Sequence, residues 1–341
     1  MLSVPGPFRA DCWWEYKLSP ILATVYATAA LSQIPFSSLW PVVALALPAL
    51  IVCASYVSVL NDLTDAQDDR ASGKPARWPG GAGIYPALLL AGCLAAGVAF
   101  LIFWRHDMLL FSAYLLPWLA FTLYSAPPFR LKVHGIWGVL ADASGAHLFP
   151  TLFAVVLLYH RNRTEAPVQW IFLIALWSFA AGVRGILWHQ LEDAVHDSRI
   201  GLRTFAGLYG TKAAERLGLI VFLPECAAFS MMLWLTHNAL ALLFLVLYGL
   251  FALARRRLLG TGLTVIKPGR ASRMAMAEYY IVLYPLACLL TASWRQPAAL
   301  LLLLFHCILF FRHGLYLMRE MVTMLRTGGS GVEPKRAVFH P

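Results

Sequence analysis

Charge is what this chain has least of. Only 13% of its 341 residues are Asp, Glu, Lys or Arg, against roughly a quarter in ordinary soluble domains. Acidic residues are the scarcer sign, 17 against 27 Lys and Arg. Paired cysteines are also missing. Cys12, Cys53, Cys93, Cys226, Cys288 and Cys307 stand singly, with no CxxC and no Cys/His ligand spacing. That pattern indicates neither a zinc site nor a disulfide framework, and most of the six read as small core residues within apolar runs. The opening MLSVPGPFRADCWWEYK has no apolar core before Trp13, so no cleaved signal peptide is expected. No low-complexity domain is visible.

What the chain does have is apolar length. It is 60% hydrophobic, and runs of about twenty apolar residues recur, each enough to cross the hydrocarbon core of a bilayer. Ten spans are expected, near 18–36, 40–60, 84–104, 108–126, 136–159, 168–189, 213–235, 238–254, 274–294 and 297–317. The chain therefore reads as an all-α, polytopic membrane bundle. Its net charge of +10 is dispersed among the loops, where the positive-inside rule accounts for it without nucleic acid as a partner. With the N-terminus inside, the outer loops hold only Arg105, Arg161, Arg163 and Arg295. The remaining basic residues between spans, Arg255–Arg257 among them as topology anchors, gather on the cytoplasmic side.

Two stretches break the shortage of acid. Residues 61–77 read NDLTDAQDDRASGKPAR and follow the apolar run 41–60 directly. Asp62, Asp65 and Asp69 stand at i, i+3 and i+7, while Asn61, Asp65 and Asp69 stand at i, i+4 and i+8. On a helix both sets point roughly one way. Carboxylates so placed repel one another unless cations sit between them or one takes a proton. The second stretch, EDAVHDSRIGLRT at 192–204, closes another apolar run and puts Asp193 and Asp197 at i, i+4. Together the two hold seven of the 17 acidic residues. Oxygen ligands at this density suit Mg²⁺, which binds through one or two carboxylates, waters and substrate phosphate oxygens. Two such motifs closing two helices can hold a diphosphate between metal ions. Both fall on the expected cytoplasmic side.

Basic residues lie beside the acidic ones. Lys74 and Arg77 follow the first motif in an irregular Gly/Pro loop, and Arg203 follows the second. The fourth span ends in YSAPPFRLK, where Pro127 and Pro128 stop the helix and leave Tyr124, Arg130 and Lys132 at the mouth. Each of these six could contact diphosphate oxygens through charge-assisted or phenolic hydrogen bonds. Asp142, with Ser144 and His147 nearby, is costly in hydrocarbon and should face the bundle interior. Arg184 is expected to face the cavity too, and Glu278, Tyr279 and Tyr280 lie where they could reach it.

These residues resemble the UbiA superfamily of intramembrane prenyltransferases. The motif NDxxDxxxD is matched at Asn61, Asp62, Asp65 and Asp69, and DxxxD with GxxT at Asp193, Asp197, Gly201 and Thr204. Between them YSxPPxRLK is matched at Tyr124, Ser125, Pro127, Pro128, Arg130, Leu131 and Lys132. The match covers about residues 13–210. It departs where Trp78 replaces the Pro of the family's Arg-Pro-Leu, and HQLED before Asp197 is less general.

The resemblance implies an all-helical bundle around a central cavity, usually of nine spans where ten are read here, formed by residues 1–326, and the tail at 327–341 reads from its composition as a disordered cytoplasmic end. It implies Mg²⁺ on Asn61, Asp62, Asp65, Asp69, Asp193 and Asp197. A prenyl diphosphate would be bound by Lys74, Arg77, Tyr124, Arg130, Lys132 and Arg203, with Asp65, Asp193 and Arg203 essential to the chemistry. The prenyl group would pass to a hydrophobic acceptor within the membrane. The alternative is a terpene cyclase, in which the cation is captured by its own double bonds. An ion-coupled transporter fits paired Asp motifs on one face poorly.

Overall fold

A chain apolar on nearly every helix face must bury itself against other helices or against lipid. The computed structural model describes Gly6 and residues 8–73, 78, 83–269 and 271–330. It opens with α1 (Ala10–Trp13), a π-helical turn (Trp14–Leu18) and α2 (Ser19–Leu31) in one rod. α3 (Leu39–Thr64) and the short α4 (Ala66–Ser72) carry the first acidic motif. α5 (Ile84–Phe103) and α6 (Met108–Ser125) follow, then α7 (Ile136–Ala143), a second π turn (Ser144–Leu148) and α8 (Phe149–Asn162). α9 (Val168–Arg199) carries the second motif and leads through α10 (Phe205–Tyr209) to α11 (Thr211–Thr236) and α12 (Ala239–Leu259). A two-stranded pair, β1 (Gly262–Thr264) with β2 (Ser272–Met274), precedes a third π turn (Tyr279–Leu283). α13 (Tyr284–Arg295), α14 (Ala298–Leu309) and α15 (Phe311–Ser330) close the chain.

The chain folds as an all-α polytopic membrane bundle. Among the described residues, seven helices are long and apolar enough to cross a membrane, or eight if α14 and α15 count as one bent span. Those two meet at 77°, so the expected span at 297–317 is broken near Phe310. α15 is helical to Ser330, past the expected start of an irregular tail at Thr327. Its amides of Arg312 and His313 donate to the Glu15 carboxylate at 2.8 Å each, an anionic cap on a helix N-terminus. The expected span at 18–36 corresponds to α2, only 13 residues long. It lies inside the bundle, with Leu22, Val25 and Tyr26 fully buried.

Apolar side chains occupy both the core and the outer faces, as expected of helices that face lipid. Trp170, Tyr114, Phe153 and Tyr284 are fully buried, while Ile84, Leu88, Val98 and Phe103 of α5 are exposed. Two interior ion pairs tie helices together. Arg184 of α9 holds Glu225 of α11 with both arms, at 2.7 and 2.5 Å. Arg255 at the end of α12 holds Glu278 at 2.7 Å and Glu320 of α15 at 3.2 Å. These pairs correct three expectations. Arg184 is sealed in a helix contact instead of facing a cavity, Arg255 is a buried clamp instead of a surface anchor, and Glu278 is its partner. Tyr279 and Tyr280 are likewise taken up by packing, donating to the Ala241 carbonyl at 2.7 Å and to Glu225 at 3.1 Å.

Candidate active site

The helix carrying the first motif pauses at Asp65, whose backbone (φ −99°, ψ −5°) separates α3 from α4. The ladder nevertheless runs on. Asp65 N–H donates to the Asn61 carbonyl at 2.9 Å, and Asp69 N–H to the Asp65 carbonyl at 2.8 Å. Asn61, Asp65 and Asp69 so keep the alignment their spacing predicts. The repulsion among the carboxylates is offset by cations from elsewhere. Arg9 pairs with Asp62, whose side chain is almost wholly buried. Lys132 pairs with Asp65. Arg130 reaches Asp68 at 2.6 Å and Asp65 at 3.3 Å. Asn61 accepts the Ser125 hydroxyl.

The loop after α6 supplies two of those cations. Pro127 and Pro128 cannot continue a helix, and Arg130 N–H turns back to the Ala126 carbonyl at 2.9 Å. A short 3-10 turn at Leu131–Val133 then carries Lys132 inward. Gly138 of α7 makes room for it: a Cβ there would lie 2.8 Å from the Leu131 oxygen and from Lys132 Cα. Burial pushes the Lys132 ammonium down to about 8, with Asp197 opposing that shift and Arg9 adding to it. Asp197, on the second motif, is therefore within electrostatic reach of the lysine that holds the first.

The second motif sits on the last turns of α9. Gly201 takes a left-handed turn (φ +62°), which glycine adopts without steric cost. Leu202 N–H returns to the Asp197 carbonyl at 3.0 Å. Thr204 caps α10, its hydroxyl accepting Gly207 N–H at 3.1 Å. In GxxT, then, the glycine makes the turn and the threonine starts the next helix. Gln190 of the HQLED stretch has a comparable duty, accepting Ala206 N–H at 3.1 Å. The two loops meet where Gly135 N–H donates to the Arg203 carbonyl at 3.4 Å. Arg199 lies beside the end of α4, its Nη1 3.9 Å from where a Cβ on Gly73 would stand.

The expected residues are thus largely gathered at one end of the bundle. Asp65 directly contacts Arg130 and Lys132, Asn61 and Asp62 stand one turn before it with Ser125 and Arg9 as partners, and Tyr124 is within electrostatic reach of Asp193 and Asp197. Asp69 stands on α4 and Asp193 one turn before Asp197 on α9. Arg203 has an exposed side chain. Lys74 and Arg77 lie outside the described residues. Arg9 and Asp68, which the motifs did not single out, each make an ion pair in the cluster. No local signal marks Arg9, which lies ahead of the first helix. Among the described residues no three acidic, His or Cys side chains form a ready cage for metal. The donor set still fits Mg²⁺, which needs only one or two carboxylates with waters and phosphate oxygens. The cations now against Asp62, Asp65 and Asp68 show that these carboxylates draw positive charge to this place.

The UbiA prenyltransferase family matches residues 18–262. No curated protein matches the chain. Among solved structures, it is similar to a UbiA homolog from Archaeoglobus fulgidus bound to DMAPP and Mg²⁺. That likeness has a TM-score of 0.52 at 15% identity and covers 82% of this chain and 98% of that one. The same homolog bound to GPP and Mg²⁺ gives a TM-score of 0.51 at 14% identity over 85% and 99%. At such identities the likeness is one of fold, and it extends over nearly the whole of the homolog. With the family matched over most of the chain and its three motifs gathered at one end of the bundle, the chain belongs to the UbiA prenyltransferase family.

Proposed function

We propose that the chain is a Mg²⁺-dependent intramembrane prenyltransferase that ionises a prenyl diphosphate and passes the prenyl group to a hydrophobic acceptor. The observation that carries this reading is the neutralised cluster of Asp62, Asp65 and Asp68 with Arg9, Lys132 and Arg130. Acid and base are interleaved there, as a metal–diphosphate pair requires. The similar homolog, bound to DMAPP or GPP with Mg²⁺, supports the same ligand class.

Asn61, Asp62, Asp65, Asp69, Asp193 and Asp197 would hold the metal. When bound, Mg²⁺ offsets the charge that grows on the leaving diphosphate. Each basic side chain that now neutralises a carboxylate has the charge to hold a diphosphate oxygen instead. Arg130 and Lys132 would do so from the loop after α6, and Arg203, which follows the second motif, and Lys74 and Arg77, which follow the first in the sequence, carry the same charge. Tyr124 adds a phenolic donor. Such donors accelerate the reaction because they bind the departing diphosphate more strongly than the intact ester. The distribution of Lys and Arg supports a cytoplasmic location for this end of the bundle.

Purified protein given DMAPP or GPP should release diphosphate only with Mg²⁺ present. No release with either substrate would refute the reading. Cyclic hydrocarbon formed without any acceptor would turn it toward a cyclase. In a cysteine-free variant, Phe129→Cys should react with an impermeant maleimide only after the membrane is opened. Labelling from outside intact cells would reverse the orientation.

A further inference from the structure

Among the described residues, the interior contacts made by cations are not alike. Arg184 and Arg255 each face carboxylates, the pairing that holds helices together. Lys17 instead faces another base, its Nζ 2.5 Å from Nε2 of His147. A lysine against an imidazole is poor glue for a membrane bundle, since a proton on each would set two like charges side by side. It is a good place to keep or pass a proton.

Both residues sit on irregular backbone. Lys17 belongs to the π turn Trp14–Leu18, and His147 to the π turn Ser144–Leu148. Such widened turns cost regular hydrogen bonding and recur at functional sites. Around them the packing is apolar and tight, with Leu18 and Ala143 buried, while Lys17, Asp142 and His147 keep partial accessibility. α9 is cut away to admit the imidazole. A Cβ on Gly182 would lie 3.1 Å from His147 Cβ, and one on Gly185 would lie 3.8 Å from Nε2. The groups within electrostatic reach of His147 are Lys17, His189 and Arg184, and Asp142 is reached by Lys17 and His189. Tyr124 is within reach both of Asp142 and of Asp193 and Asp197. The cluster and the second acidic motif therefore act electrostatically on the same side chain.

We propose that Lys17 and His147, supported by Asp142, take up the proton that is lost when the prenyl cation is quenched. This rests on the diphosphate reading above. Ionisation breaks the C–O bond, and its electron pair leaves with the diphosphate. The cation then takes an electron pair from the acceptor, the new bond to the prenyl carbon forms, and the acceptor's hydrogen departs as a proton. The acceptor's proton is shared between the Lys17 amine and the His147 imidazole, one proton for the two nitrogens, and is balanced by the Asp142 carboxylate. Exposed His189 is the exit to solvent.

The test separates ionisation from quenching. Protein in the membranes in which it is natively expressed receives labelled GPP and Mg²⁺. Diphosphate release is measured alongside the division of label between free prenyl alcohol and other extracted products. In Lys17→Met and His147→Phe, release should stay within about threefold of wild type. The ratio of prenylated product to alcohol should fall by about a hundredfold. Gly185→Ala, which keeps every side chain of the cluster and crowds only the imidazole, should lower that ratio less and serves if the other two do not fold. An unchanged ratio, or release that falls in step with product, would overturn the proposal. Wild-type protein that makes only alcohol would overturn it as well. Absence of diphosphate release from wild type would instead overturn the proposed function.

Discussion

The ion pairs of this protein come in two kinds. In the pair of Arg184 with Glu225 the side chains are 1% and 0% exposed, and the guanidinium is further fixed by the Val265 carbonyl at 3.2 Å and the Phe222 ring at 5.0 Å. In the pair of Arg130 with Asp68 they are 26% and 32% exposed, and the arginine is divided between two carboxylates. The first kind has one geometry and no access. The second is loose enough to exchange partners, as a site must if cations and anions are to enter it. The same residue types are thus sealed in the one pair and half-open in the other, and the half-open pair belongs to the cluster proposed for binding.

Substitutions should split along that line. The largest effect is expected at the acidic motifs. Asp65→Ala and Asp193→Ala should each lower Mg²⁺-dependent diphosphate release by about a thousandfold, while the unfolding temperature in detergent stays near that of wild type. A large loss of stability with activity retained would place these residues with the structural pairs. Next comes Glu225→Ala, which strands a buried guanidinium. It should destabilise the fold by about 3–5 kcal/mol, seen as a lowered unfolding temperature before any effect on substrate binding. Should the variant prove as stable as wild type, the Arg184 contact would not be the clamp its geometry indicates.

Arg203→Lys sharpens the contrast further. An anchor that only sets topology tolerates Lys, because the positive-inside rule counts charge and not shape. A diphosphate ligand needs the planar fork of arginine, so turnover should fall by about tenfold with normal insertion. Equal turnover in the correctly inserted variant would return Arg203 to the anchor role. The smallest effect is expected for Arg130→Met on stability, less than about 1 kcal/mol by thermal unfolding, as befits a half-open pair. Its diphosphate affinity should drop all the same.

The membrane bundle was legible from apolar runs, because length and hydropathy alone tell whether a segment can cross a bilayer. The three motifs were legible because carboxylates at i, i+4 share a face wherever the helix runs, and prolines stop a helix wherever they fall. The positions of α2 and α15 were not legible. A 13-residue interior helix and one turned by 77° from its predecessor owe their placement to what they pack against, among it the Glu15 carboxylate 297 residues from the amide of Arg312. The same limit applies to the cations. Arg9, Lys17 and Arg184 each look in the sequence like a lone positive charge near an apolar run, and Arg255 like the first of a basic triplet. Only the tertiary structure set the first against Asp62, the second against His147 and the other two against buried glutamates, because a side chain's partner depends on which distant helix arrives beside it. The sequence determined that charge would be rare and where along the chain it would fall, and folding determined what each charge meets.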